Sequence, residues 1–296
     1  MTPTDLRARV LYRDQLVVII DKPAGLPVHA GPRGGPNLEL YLDALRFGYK
    51  EQPSLAHRLD RDTSGCLVLG RNRRGLARLG RMFAGGRVEK VYWAVTDGIP
   101  DAPEGRVDAP LAKHTPGRGW KMVVDPAGQA AVTDWRVLGQ ADGRAWIECR
   151  PRTGRTHQIR VHMAHLGCPL VGDPVYAHGV GDAFADEMRG RLGSMLLHAR
   201  AITLPLHPDA PPVTATAPVP PHMRAGLQAV GMDGAAEDAF ARRQRAEALA
   251  AAEASPADDE ADDRLRSRRH RGLHRGPAGR DDGGRDNGGR GGFGGR

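Results

Sequence analysis

The sequence predicts an α+β fold, a mainly antiparallel mixed sheet with flanking helices, followed by a disordered C-terminal tail. Three observations carry this. Short runs rich in β-branched and aromatic residues recur as far as residue 204. Helical patterns are few and interrupt those runs singly instead of alternating with them. From about residue 255 onward the chain lacks the apolar content to order itself.

The elements follow in order. Residues 16–20, Leu-Val-Val-Ile-Ile, form a continuous apolar run that suits a buried strand ending at the turn Asp21-Lys22-Pro23. Residues 24–29 continue as an ordered loop bent by Gly25 and Pro27. Residues 37–46 suit a short helix capped by Asn37, with Leu38, Leu42 and Leu45 along it. Residues 66–69 read as a strand, and 75–83 as a helix with Leu76, Leu79 and Phe83 on one side. The alternating, aromatic run 88–96 suits a strand. Residues 131–138 and 144–150 read as antiparallel strands joined by the turn 139–143. A helical stretch from Thr156 to His165 stops at Gly167, and 196–204 is a further strand. Residues 205–221 are proline-rich and extended. Residues 235–254 have almost no large apolar side chains, so any helix there is expected to be solvated.

Charge divides the chain more sharply than its formal +8 suggests. Residues 264–296 hold ten arginines against three aspartates, and 233–263 hold ten acids against three arginines. The expected organisation is a folded unit over 1–232, an acidic Ala/Glu-rich helix or linker over 233–263, and a basic Arg/Gly-rich tail over 264–296. The folded unit keeps 30 basic and 22 acidic residues, which suits a polyanionic partner. Cys66, Cys149 and Cys168 lie far apart and form no CxxC pair, which argues against a disulfide framework or zinc ribbon. With no signal-like N-terminus and no run of membrane-spanning length, a cytoplasmic protein without membrane contact is expected.

Residues 57–65, His-Arg-Leu-Asp-Arg-Asp-Thr-Ser-Gly, concentrate two carboxylates, two arginines and a histidine beside the apolar run 66–69. Charge this dense next to a buried strand positions chemistry more often than it stabilises a core. A second polar cluster spans 152–162, where a helix from Thr156 places Arg160 on the face of His157 and Ala164. His157 and His162 are five positions apart with no third ligand evident, so a satisfied or surface histidine is the expectation for both, and no metal. Residues 171–177, Val-Gly-Asp-Pro-Val-Tyr-Ala, read alone as a plain turn. Six arginines (Arg71, Arg73, Arg74, Arg78, Arg81 and Arg87) crowd the helix at 75–83. They suit either a solvated helix face or a phosphate-contacting surface.

Taken together, Asp21 to His29, His57 to Gly65, Glu89-Lys90-Val91-Tyr92, Thr153 to His162, Gly172 to Tyr176 and Leu196-Leu197-His198-Ala199 closely resemble the RluA-type RNA pseudouridine synthases. The resemblance covers roughly residues 10–205. The His-Arg-Leu-Asp-x-x-Thr-Ser-Gly form favours this branch over the related RsuA-type enzymes. It implies the pseudouridine synthase fold and the isomerisation of specific uridines in tRNA or rRNA. It further implies Asp60 as the catalytic aspartate, Tyr92 as the tyrosine that stacks on the base and helps remove its C5 proton, and Arg160 as the basic partner of the aspartate. Arg58 matches the arginine that fills the gap left by a flipped nucleotide, and Ile159 and Leu197 match apolar pocket walls. His57, Arg155 and Thr156 complete the expected substrate-binding set.

The reaction breaks the N1–C1′ bond, turns the uracil and rejoins it through C5, so no cofactor and no metal are expected. The resemblance starts near residue 10, leaving no room for the N-terminal RNA-binding module of some members. That favours compact enzymes acting as monomers on tRNA or accessible rRNA loops. The tail, ending Gly-Gly-Arg-Gly-Gly-Phe-Gly-Gly-Arg, suits either an RNA contact or an inert solubilising segment. Two rival functions are weaker. An idle RNA-binding protein would not need Asp60, Tyr92 and Arg160 intact. A hydrolase using Asp60 and Asp62 would have carboxylates poorly placed to flank a bond from opposite sides.

Overall fold

A computed structural model describes residues 1–177 apart from 32, 33, 116 and 118, residues 194–237 apart from 208 and 209, and residues 239, 240, 242, 243 and 246. By its contacts the chain divides at Ala254, and the described residues all lie in the unit Met1–Ala254. The expectation of a disordered tail falls outside the described residues.

The chain begins with α1 (Pro3–Ala8), β1 (Val10–Arg13), β2 (Val17–Lys22), a 3₁₀ segment (Leu38–Leu45), β3 (Ser54–Leu55) and β4 (Ser64–Gly70). It continues through α2 (Arg73–Ala84), β5 (Glu89–Asp97), β6 (Glu104–Asp108), β7 (Leu111–His114) and β8 (Lys121–Val124). Then come β9 (Val132–Ala141), β10 (Arg144–Pro151), α3 (Gln158–His165), β11 (Leu197–Leu204), β12 (Val213–Thr216) and α4 (Pro221–Ala229).

Among the described residues, ten strands form one sheet in the order β1-β2-β4-β11-β5-β10-β9-β6, with β3 added to β4 and β12 to β11. Only the β11–β4 pairing is parallel, so the sheet is mixed and mainly antiparallel, as the sequence predicts. Strands β4 and β11 are buried along their whole length, which explains the apolar run of residues 66–69 in β4, while β11 also buries His198, Arg200 and Thr203. β5 alternates: Val91, Trp93 and Val95 join one core cluster, whereas Tyr92 and Ala94 face another. The β7–β8 hairpin forms a separate two-stranded sheet.

Helix α2 is started by Asn72, whose side chain accepts the Gly75 N–H. Its buried stripe of Gly75, Leu79 and Met82 packs towards the sheet. The expected helix at 37–46 is a 3₁₀ segment, and Asn37 makes no side-chain cap there. Within the stretch read as simply extended, β12 pairs with β11 in the register Ala201↔Thr216 to Leu204↔Val213, and α4 follows.

Among the described residues of 235–254, Phe240 departs from the solvated expectation. Phe240 is 2% exposed and meets the Trp93 ring edge-on at 4.8 Å. Arg200, itself buried, lies over both rings and pairs with Glu237 at 3.1 Å. Phe240 and Glu237 thus tie the described residues here to Trp93 and Arg200 of the sheet, against what the local composition suggests.

Candidate active site

Residues 57–65 connect β3 to β4 and border a cavity of about 500 Å³. Several buried contacts fix the loop. The fully buried Lys22, at the end of β2, donates to the carbonyls of Pro23 (2.8 Å), Leu26 (2.7 Å) and Arg61 (3.0 Å), using all three ammonium protons. Burial lowers its pKa to about 8, with Asp62, Asp60 and Asp21 acting against that shift. The Thr63 N–H closes a turn on the Asp60 carbonyl at 3.2 Å. Gly65 takes a left-handed φ of 104°, and a Cβ there would collide with the Ala199 carbonyl of β11. Ser64 Oγ lies 2.9 Å from Nδ1 of the buried His198 on β11. Sheet and loop are thus tied at the residues flanking Asp60.

Asp60 lines the cavity. Its carboxylate meets Arg160 of α3, with Nη1 3.3 Å from Oδ2. Arg160 is held more tightly on its other edge, where Nε and Nη2 donate to the two oxygens of Asp173 at 2.7 and 2.8 Å. Burial works to lower the Arg160 pKa, but Asp173 and Asp60 outweigh it and hold the guanidinium above its ordinary value. Asp173 Oδ1 also accepts the N–H groups of Val175 (2.8 Å) and Tyr176 (3.1 Å).

His157 occupies the N-cap of α3 in a left-handed conformation, φ 54°, that is strained for a residue bearing a Cβ. Its Nε2 lies 3.8 Å from Asp60 Oδ2, and its Nδ1 lies 2.9 Å from the Tyr176 hydroxyl. That hydroxyl accepts the Met122 N–H of β8 at 3.0 Å. Burial lowers the His157 pKa against the pull of Asp60. The expectation of a satisfied or surface histidine fits His162, which is buried between Thr133 and Ala109. His157 instead faces the Asp60 carboxylate.

Tyr92 of β5, Ile159 of α3 and Leu197 of β11 supply much of the cavity's apolar wall. Burial, with Asp60 nearby, pushes the Tyr92 phenol well above its usual pKa, so it is a neutral phenol. Lys90, two residues earlier on the same strand, also lines the cavity and donates to the Thr153 carbonyl at 3.0 Å. Burial brings its pKa down to about 8. Arg155 and Thr156 reach the cavity from a loop organised by the buried Gln158. The Gln158 oxygen accepts from Thr153 Oγ1 and the Arg155 N–H, while its nitrogen donates to the Val132 carbonyl and Thr133 Oγ1.

Arg58 is exposed at the cavity wall. His57 lines the cavity as well, but its Nε2 accepts the Val68 N–H at 3.0 Å and its ring lies against Phe83. Its nitrogen therefore serves the fold as much as the cavity. All nine expected site residues border the cavity except Arg160, which reaches it through Asp60.

Asp173, Tyr176, Lys90 and Lys22 escaped the residue-by-residue reading, and His157 was read only as a satisfied or surface histidine. The motifs containing them were visible, but the contacts that give them purpose join distant stretches. The cavity combines a carboxylate backed by an anchored guanidinium, a phenol and an imidazole above an apolar floor. It suits a flat, uncharged ring with polar edges, brought against a carboxylate. Among the described residues, no group of three or more His, Cys, Asp or Glu is placed to hold a metal ion. No helix of the described residues is long and apolar enough to cross a membrane.

Residues 16–165 match the family model described as RNA pseudouridylate synthase. The protein is accordingly an RNA-modifying isomerase, of the class that converts uridine to pseudouridine. An uncharacterized RNA pseudouridine synthase of Zymomonas mobilis is 47% identical over 217 residues, covering 73% of this chain and 95% of the relative. The ribosomal large subunit pseudouridine synthase D of Xanthomonas campestris is 40% identical over 256 residues, covering 81% of this chain and 75% of the relative. The structure of human RNA pseudouridylate synthase domain containing 4 superposes with a TM-score of 0.64 at 28% identity, over 77% of this chain and 94% of that one. The chain belongs to the RNA pseudouridylate synthase family, in its RluA branch.

Proposed function

We propose that this enzyme isomerises specific uridines of structured ribosomal or transfer RNA, with Asp60 as its catalytic carboxylate. The observation that carries the reading is the placement of Asp60 on the cavity, facing an arginine that Asp173 holds in a fork. The name of the Xanthomonas relative favours large-subunit ribosomal RNA as the substrate.

In this reading the target uridine leaves its stack, at a cost of about a few kcal/mol. Arg58 fills the gap it leaves, and the uracil enters against Tyr92, Ile159 and Leu197. Stacking on Tyr92 offsets part of the unstacking cost. Asp60 then acts as the N1–C1′ bond breaks. The freed uracil turns between the apolar walls, C5 bonds to C1′, C5 gives up its proton to solvent and N1 takes one up, so the product is an isomer of the substrate. Because the Tyr92 phenol is neutral, it assists that last step by positioning the ring and the departing proton. Arg155, Thr156 and His57 border the same cavity as substrate contacts. The arginines on and beside α2, among them the exposed Arg74, Arg81 and Arg87, provide cations for flanking phosphates. The basic tail adds sequence-indifferent affinity, and the enzyme works in the cytoplasm.

RNA labelled with tritium at uridine C5 tests the chemistry. Isomerisation releases tritium while the base stays attached. A hydrolase frees uracil, and a non-catalytic binder releases neither. A transcriptome-wide pseudouridine map with and without the gene then identifies the RNA, and loss of no site would sink the assignment.

A further inference from the structure

Trp120 lies in the turn between β7 and β8 and is 47% exposed. The other tryptophans are buried: Trp93 is 0%, Trp146 2% and Trp135 7% exposed. An indole left in water on a loop loses the burial energy that a core would give it, so its place asks for another partner. Two neighbours define the setting. The Trp120 ring stacks on His157 at 5.3 Å between centroids and 20° between planes, and His157 lines the cavity and faces Asp60. The Lys113 ammonium stands 5.2 Å from the Trp120 ring centre. Residues 111–124 contain Lys113, Arg118, Lys121 and His114 and no acidic residue, so the hairpin is cationic.

An exposed aromatic ring beside lysines, next to a site that takes a base out of an RNA stack, matches the chemistry of unpaired nucleobases. Every base offers a π face to a ring, and every nucleotide brings a phosphate to a cation. Trp120 does not border the cavity itself. His157, on which it stacks, stands between Trp120 and the cavity. We propose that Trp120 is a stacking platform for an unpaired base flanking the target uridine, with Lys113 and Lys121 supplying counter-charge to its phosphates. The proposal rests on the chain acting on structured RNA, but not on the role of Asp60.

The test uses the full-length protein and an RNA transcript on which the wild type forms pseudouridine. With three of four tryptophans buried, iodide quenching reports mainly on Trp120. RNA should quench its emission and shield it from iodide, and the same shielding should occur in Asp60→Ala. Trp120→Ala should raise KM by roughly fivefold to a hundredfold, the range set by loss of one base–aromatic stack, with a much smaller change in kcat. Trp120→Phe should recover most of the KM. Unchanged iodide access in the presence of bound RNA would overturn the proposal. So would a Trp120→Ala enzyme with normal KM and depressed kcat, since that is the signature of an indole that merely props His157. If Asp60→Ala stays fully active while Trp120 is shielded, the catalytic reading fails and the platform stands.

Discussion

Arg160 is anchored by Asp173 before it ever meets Asp60: its fork with Asp173 spans 2.7 and 2.8 Å, against 3.3 Å to Asp60. The two carboxylates hold different edges of one guanidinium. Asp173 is thereby a positioning residue for whatever Arg160 does at Asp60, and the order of the distances says which partner sets the geometry.

Asp173→Asn should lower kcat more than it raises KM. The amide keeps an oxygen for the Val175 and Tyr176 N–H groups but weakens the charged fork. A hydrogen bond to a charged group contributes about 1.5–3 kcal/mol, so a fall of roughly tenfold to a hundredfold is expected. Steady-state kinetics on the modified RNA, with an unfolding curve as control, would check it. Near wild-type kcat would show that Asp60 alone holds Arg160.

Acid should destabilise the fold through His198. Burial lowers its pKa from 6.5 to about 3 in the folded chain, whereas in the unfolded chain it protonates near 6.5. The unfolded state therefore binds more protons between those values, and stability present above about pH 6.5 is lost as pH falls towards 3. From pH 7 to 5 this histidine costs about 2 kcal/mol of unfolding free energy. Urea unfolding of wild type and His198→Asn at pH 7 and 5 isolates the effect. The variant starts less stable, having lost the Ser64 contact, but should lose less on acidification. Equal losses in both proteins would show that His198 is not the titrating group.

Deleting residues 264–296 removes ten arginines and three aspartates. RNA affinity should fall and its salt dependence flatten, by about 0.7–0.9 of log–log slope for each tail cation that meets a phosphate. The kcat should stay put. Filter binding across a salt series checks this, and unchanged affinity at low salt would make the tail inert.

The parts legible in the sequence were those written by burial or by local motif. β2 and β4 are buried on both faces, so residues 17–20 and 66–69 read as apolar runs, and β11 stood out although His198 and Arg200 interrupt it. The stretches 57–65 and 152–162 stood out because charge was dense there, and the family resemblance picked Asp60 and Arg160 out of them. β1 was missed because it is an edge strand, half exposed, without alternation. β12 and α4 were masked by prolines, although Pro221 at the start of α4 suits a first helical position. Asp173 and Tyr176 looked like turn residues because their partners, Arg160 and His157, are remote in sequence. His157 was discounted for want of a metal triad, when its neighbours are a carboxylate and a phenol. Phe240 was too isolated to signal packing, and the sheet supplies its partner, Trp93.

The most direct test of the central claim is pseudouridine formation by Asp60→Ala and Asp60→Asn, measured by tritium release alongside RNA binding. Both variants should bind the RNA and retain the wild-type thermal transition, because Asp60 lies on the cavity and leaves the core untouched. Tritium release should fall to background in each. Full activity in either variant, with binding and folding intact, would contradict the assignment of Asp60 as the catalytic carboxylate.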